Sequence, residues 1–209
     1  NTVSVSLVDE ITDLNNLISN EMNENTLLDF SSTSGKEMKG TISLTREANE
    51  DSEMGFYLIQ NSQGAVLDPI TGNLIFPGEY GYEEAALDST NIFNSFGKLS
   101  TKDINAVTQT ISNYDGASIV NINNKKFYEL IPNRSKVSKE IYSFSEDDLV
   151  APYAVTSSGK TFFSFNEANE DNFNHFRNFG AGSFGLESSY NGGDKDFDDL
   201  IVSFDFQLV

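Results

Sequence analysis

Apolar positions along the chain recur at two different spacings. Near the start, Val8, Ile11, Leu14, Leu17 (or Ile18) and Met22 return every three or four residues within SLVDEITDLNNLISNEMNENTLLDF. That interval gathers side chains on one face of a helix. Polar residues fill the other face, so the spacing predicts an amphipathic helix. Beyond SSTSGKEMKG the interval shortens to two, and TISLTRE sets Ile42 and Leu44 on one side of an extended chain. MGFYLIQ is a compact aromatic and aliphatic run closed by the turn-forming NSQG. AVLD, GNLIF and PGEYGY predict further short strands and tight turns. A second helix is predicted over STKDINAVTQTISNY, where Ser100 or Thr101 can cap the first turn and Asp103 suits its dipole. Downstream, ASIVNIN, KFYELI, EIYSF, APYAVTS, KTFFSFNEA, FGAGSFGLES and DLIVSFDFQLV read as strands separated by Gly, Asn and Asp.

Short strands at this spacing predict a mainly β fold: an antiparallel β-sandwich or jelly roll with one or two peripheral α-helices. The 17 Phe and 8 Tyr suit pleated, half-buried strands better than helices. Two units are expected, a helical extension over residues 1–39 that can pack on its neighbour and a β domain over residues 40–209. A chain of 209 residues can enclose a sizeable core.

Charge narrows the partners. Thirteen Lys plus Arg stand against 32 Asp plus Glu, a net charge of −19. Such a surface disfavours nucleic acid, whose phosphates need a basic face, and anionic lipid. It attracts cations. The absence of cysteine excludes disulfides, thiol catalysis and cysteine-ligated zinc. A single histidine, His175, excludes a multi-histidine metal site within one chain and weakens a Ser/His hydrolase reading. No run of about 18 apolar residues predicts a membrane span. The chain opens at Asn1 without a basic-then-apolar leader, and it reads as a piece cut from a longer protein.

The acids concentrate in YNGGDKDFDDLIVSFDF, Tyr190 to Phe206, where four aspartates fall within six residues. From Glu187 to Asp205 six acidic residues face one basic residue, Lys195. Close carboxylates repel by about 1 kcal/mol per pair in water, and by more where partly buried. A cation between them would relieve this. Calcium takes six to eight hard oxygen ligands, and alternate acids supply carboxylates at every second position. The match to an EF-hand ends there, because Leu200 and a strand stand where that loop needs a glycine and a distal glutamate. A glycine-rich β-roll repeat is also excluded, since nothing repeats. What remains is a Gly-Gly turn, able to adopt positive φ, feeding carboxylates into a strand anchored by Phe197, Leu200, Val202, Phe204 and Phe206. The candidate ligands are Asp194, Asp196 and Asp199, joined by Glu187, Asn191 and Asp198. Adjacent Asp198 and Asp199 point to opposite faces of an extended chain, so both reach one ion only if the chain turns there. The alternative is an acidic turn held by Asx-type hydrogen bonds. Magnesium prefers fewer protein ligands than calcium, so Ca2+ is the expected ion. EANED occurs twice, at Glu47–Asp51 and Glu167–Asp171. It reads either as a paired acidic loop or as a chance match of common loop residues.

FGLESSYNGGDKDFDDLIVSF resembles the signature of a bacterial family, domain of unknown function 4114, in which Phe-Gly-Phe-Glu-Asp precedes Gly-Gly-Asp-x-Asp-Phe-Asn-Asp and a hydrophobic strand. Phe184, Gly185, Glu187, Gly192, Gly193, Asp194, Asp196, Phe197 and Asp199 match, while Leu186, Ser188 and Asp198 depart. MGFYLIQNSQGAVLD, FPGEYGYEEAAL and LVAPYAV resemble the rest of the pattern in order, so the likeness spans roughly residues 41–209. The resemblance implies a calcium-binding β domain of a large secreted or cell-surface bacterial protein, an adhesin, and it implies no catalysis. Three functions follow as expectations: a calcium-dependent module that binds a glycan or a surface protein, a purely structural calcium-stabilised spacer, and an enzyme acting on glycosides. For the first, Tyr190 or Tyr153 could stack on a sugar. For the last, Glu47 and Glu167 offer a carboxyl pair, but any acidic chain offers such pairs, and His175 among aromatics reads as a packed residue. The expectation is a binding module and not an enzyme.

Overall fold

The alternation at the C-terminal end folds as it reads. The computed structural model describes residues 18–19, 26–30, 36, 38–45, 50–100, 119–122, 125–128, 137–144, 148–180 and 182–208. Within it Leu200–Leu208 forms a nine-residue strand, β15, with Leu200, Val202, Phe204 and Phe206 buried along one face. That strand pairs antiparallel with β3 (Met38–Thr45) on one side and β14 (Ser183–Leu186) on the other. With β10 (Val137–Phe144) and β13 (Phe176–Gly180) they make a five-stranded sheet in the order β10-β3-β15-β14-β13. A six-stranded sheet faces it. Its spine is β11 (Leu149–Thr156) paired along its length with β4 (Ser52–Ile59). The other edge of β11 is shared by β2 (Leu27–Asp29) and β12 (Thr161–Phe163). The sheet ends at β7 (Leu99–Ser100) and β1 (Ile18–Ser19). Two hairpins complete the described strands: β5 (Val66–Leu67) with β6 (Leu74–Ile75), and β8 (Ile119–Ile122) with β9 (Lys125–Tyr128).

The core lies between the two sheets. Met54, Phe56, Val150 and Ala154 from one meet Ile42, Leu44, Phe176, Phe184, Val202 and Phe204 from the other. Its aromatic rings interlock edge to face, as Phe56 does with Phe96 at 5.1 Å and 87°. A second apolar layer covers the outer face of the six-stranded sheet. There Tyr57, Ala151, Tyr153, Phe163 and Phe165 pack under Val66 and a short helix, α1 (Tyr82–Ala86). This explains why MGFYLIQ reads as an unbroken run instead of alternating, since β4 is covered on both faces.

The fold is mainly β and antiparallel, as the spacing predicts, and α1 is its one described α-helix. That helix begins at Tyr82, the last residue of PGEYGY, where short strands and turns are expected, and its five residues are too short for a 3.6-residue period to show. The helix expected over Val8–Met22 lies mostly outside the described residues, and its described part, Ile18–Ser19, is extended and paired with Leu27 and Leu28. The helix expected after Ser100 lies outside them too, apart from Ser100 itself, which is in β7. The boundary expected at residue 40 falls inside β3. Leu27, Leu28 and Phe30 are buried in the sandwich, so at least this part of residues 1–39 belongs to it. No described helix is long and apolar enough to cross a membrane.

Candidate metal centre

The acidic stretch is the connection between β14 and β15. It leaves the sheet at Glu187, turns tightly at Tyr190–Gly192, and re-enters at Leu200. Its winding is unusual: Asn191, Gly192, Gly193, Lys195 and Phe197 all have positive φ, from 40° to 77°. For a bulky residue such as Phe197, at 62°, this backbone costs energy and persists only where the surroundings impose it. The two glycines carry out what the sequence assigns them. A Cβ on Gly192 would meet the Phe173 ring at 2.2 Å, and one on Gly193 would meet the Glu187 carboxylate at 2.7 Å.

This winding brings three carboxylates together. Glu187, Asp194 and Asp196 each direct one oxygen into a group whose members all lie within 4.8 Å of one another. Glu187 is 1 % exposed, Asp196 half-buried and Asp194 exposed, so the group is closed on one side and open on the other. Backbone N–H groups of Ser189 and Lys195 donate to the two Glu187 oxygens at 3.2 and 3.1 Å. Burial pushes the Glu187 carboxyl up to about 7, and the charges of Asp199 and Asp194 add to the rise. Burial raises Asp196 as well, with the charge of Asp194 contributing against the hydrogen bonds it receives from Asp198. Lys195, the one base in the loop, sets its ammonium 5.6 Å from the centre of the Phe173 ring. Among the described residues no Lys or Arg pairs with the three acids. Mutually repelling carboxylates, one buried and one half-buried, that no described Lys or Arg pairs with could hold a metal ion, and their hard oxygens suit a hard cation.

The other predicted ligands take different places. Asp199 accepts from the Ser188 N–H at 2.6 Å and the Ser188 hydroxyl at 2.7 Å, closing the neck of the loop. Asp198 is half-buried, and its N–H lies 3.4 Å from an Asp196 oxygen. Asn191 is exposed and enters through its backbone, donating its N–H to Asp171 at 2.7 Å. Glu187 rather than Asp199 therefore joins Asp194 and Asp196 in the group of three.

Asp171 and His175 are the supports that sequence reasoning missed. Both side chains are fully covered, and the His175 Nε2 lies 3.0 and 3.2 Å from the two Asp171 oxygens. The carbonyl of Glu187 accepts from Nδ1 at 2.6 Å, and the Glu187 N–H donates to the His175 carbonyl at 2.8 Å. Both ring nitrogens thus face acceptors. The ring stacks on Phe162 at 3.7 Å, as a packed histidine does. Burial pushes the Asp171 carboxyl up, but N–H donors from Asn191 and Phe173 and the adjacent imidazole outweigh it and hold the group below the usual carboxylate range. The available signal was the second EANED, whose last residue is Asp171, with His175 four positions on.

The two EANED copies are not equivalent. Glu50 binds the turn at Ser157 and Ser158, Glu170 pairs with Lys160, and Asp171 goes under the loop. Glu167 sits in an exposed turn of 3-10 helix, and Glu47 lies outside the described residues. Tyr153 is 5 % exposed and packs against Tyr57, which removes it from any sugar-facing surface. Tyr190 is 43 % exposed, with the Lys160 ammonium 4.1 Å from its ring centre. Comparison of the chain with protein-family models, curated proteins and solved structures finds no match.

Proposed function

We propose that this chain is a calcium-binding β module of a secreted or cell-surface bacterial protein, serving adhesion by binding a glycan or another surface protein. One observation carries the reading: Glu187, Asp194 and Asp196 converge within 4.8 Å, and among the described residues no Lys or Arg pairs with them. The ion would be held by these three carboxylates, and calcium suits them through its preference for several oxygens at a flexible geometry. The likeness of FGLESSYNGGDKDFDDLIVSF to domain of unknown function 4114 supports the same ion and the extracellular setting. Binding, and not catalysis, is the role of the site. The exposure of Asp194 favours an ion able to share its coordination shell with a ligand.

A second reading has its own support. Glu187 is buried and bonded to His175 through its backbone in both directions. An ion there would lock the loop to β13 and β14 and act as a structural staple in a spacer. Calorimetric titration with Ca2+ tests the shared claim. Binding by the wild type and its loss in the Asp194→Ala/Asp196→Ala double variant are expected, and retained binding by that variant would move the site elsewhere. A glycan array read with and without Ca2+ then separates the roles. Calcium-dependent hits support adhesion, and their absence supports the spacer.

A further inference from the structure

We infer that the buried Asp171–His175 pair is a positioning device for this loop, holding Glu187 and the turn at Asn191–Gly193 in the liganding arrangement before an ion arrives. The inference rests on the cation reading above. Neither side chain belongs to the group of three carboxylates. The Asp171 oxygens are taken up by the Asn191 N–H at 2.7 Å, the Phe173 N–H at 3.1 Å and the His175 ring. The pair grips the loop at two points. His175 holds the carbonyl of Glu187, where the chain leaves β14, and Asp171 holds the N–H of Asn191, where the positive-φ run begins.

Two physical arguments give the pair this role in place of a merely stabilising one. A buried, hydrogen-bonded polar pair contributes little net stability compared with apolar residues of the same shape, because both groups lose their hydration. Such a pair in a site otherwise walled by Phe162 and Phe173 is therefore a poor way to add stability but a good way to fix geometry. A loop with five positive-φ residues, three of them not glycine, also relaxes unless its ends are constrained. Groups that orient a metal's ligands without touching the metal typically change its affinity by about 10–100-fold when removed.

The test uses the whole 209-residue chain and Tb3+ as a luminescent probe for the site, with emission lifetimes in H2O and D2O counting the water molecules bound to the ion. Asp171→Ala and His175→Gln should weaken Tb3+ binding by about 10–100-fold and raise the number of bound waters, because the ligands no longer converge. Asp171→Asn keeps an oxygen to accept from Asn191 and should recover part of the affinity. Unchanged affinity and water count in Asp171→Ala would overturn the inference. Should that variant not fold, as circular dichroism would show, His175→Gln decides in the same way. Failure of the wild type to bind Tb3+ at all would overturn the cation reading and this inference with it.

Discussion

A Cβ on Gly185 would lie 2.0 Å from the carbonyl oxygen of Phe197 and 2.6 Å from the Phe179 ring. The first contact is with backbone of the acidic loop, so it cannot be relieved by turning a side chain. Gly185→Ala should therefore destabilise the protein by about 1–3 kcal/mol and disturb the loop, readable as a lower urea midpoint and a weaker response to Ca2+. Carboxylates separate at the same scale. Asp199 satisfies two donors of the buried Ser188, and leaving them without a partner costs about 1–3 kcal/mol. Asp194 is exposed, and the partner its side chain meets is another carboxylate, Asp196. Measured in chelator, Asp199→Ala should lower the melting temperature while Asp194→Ala leaves it nearly unchanged or raises it by relieving repulsion. Measured in calcium, Asp194→Ala should lose the ion's stabilising effect. Equal behaviour of the two variants in chelator would contradict this division of roles.

The loop as an element has a pH dependence with a definite sign. In the ion-free protein the Glu187 carboxyl is raised to about 7 from an ordinary value of 4.5. The folded state then holds a proton that the unfolded state releases. This stabilising contribution is complete below the ordinary value and is lost as pH rises through about 7. Melting in chelator should therefore show stability falling from pH 5 to pH 8, with Glu187→Gln flattening the slope. Calcium affinity should run the opposite way, rising over the same window as the proton leaves. A calcium affinity independent of pH between 5 and 8 would remove Glu187 from the ligands. Elements also show what a sequence can disclose. The strand Leu200–Leu208 and the glycine-hinged loop before it were legible because their signals are local: alternate apolar residues, paired glycines and a surplus of acid. Asp171 and His175 were not legible as loop supports, because their partners are backbone atoms 12 to 20 residues away. Ile18–Ser19 is drawn into a strand by pairing with Leu27 and Leu28, against its helical spacing. Tertiary pairing overrides a periodic pattern in such short segments.

For the whole molecule, a sandwich core rich in phenylalanine and an unusually acidic surface act in opposition. Phe56 is fully buried and touches Phe96, Phe184 and Phe204, so Phe56→Ala should cost about 3–5 kcal/mol with or without calcium. A net charge of −19 opposes the compact state by self-repulsion, and an ion bound only in the folded state offsets part of that. The most direct test is thermal melting of the 209-residue chain in excess chelator and across a calcium titration, repeated with magnesium and at constant ionic strength. A ligand at about a hundred times its Kd stabilises by roughly 2.7 kcal/mol. In a chain of this size that corresponds to a rise of about 5–10 °C, with little effect from magnesium at the same concentration. An identical melting temperature in chelator and in saturating calcium would contradict the account.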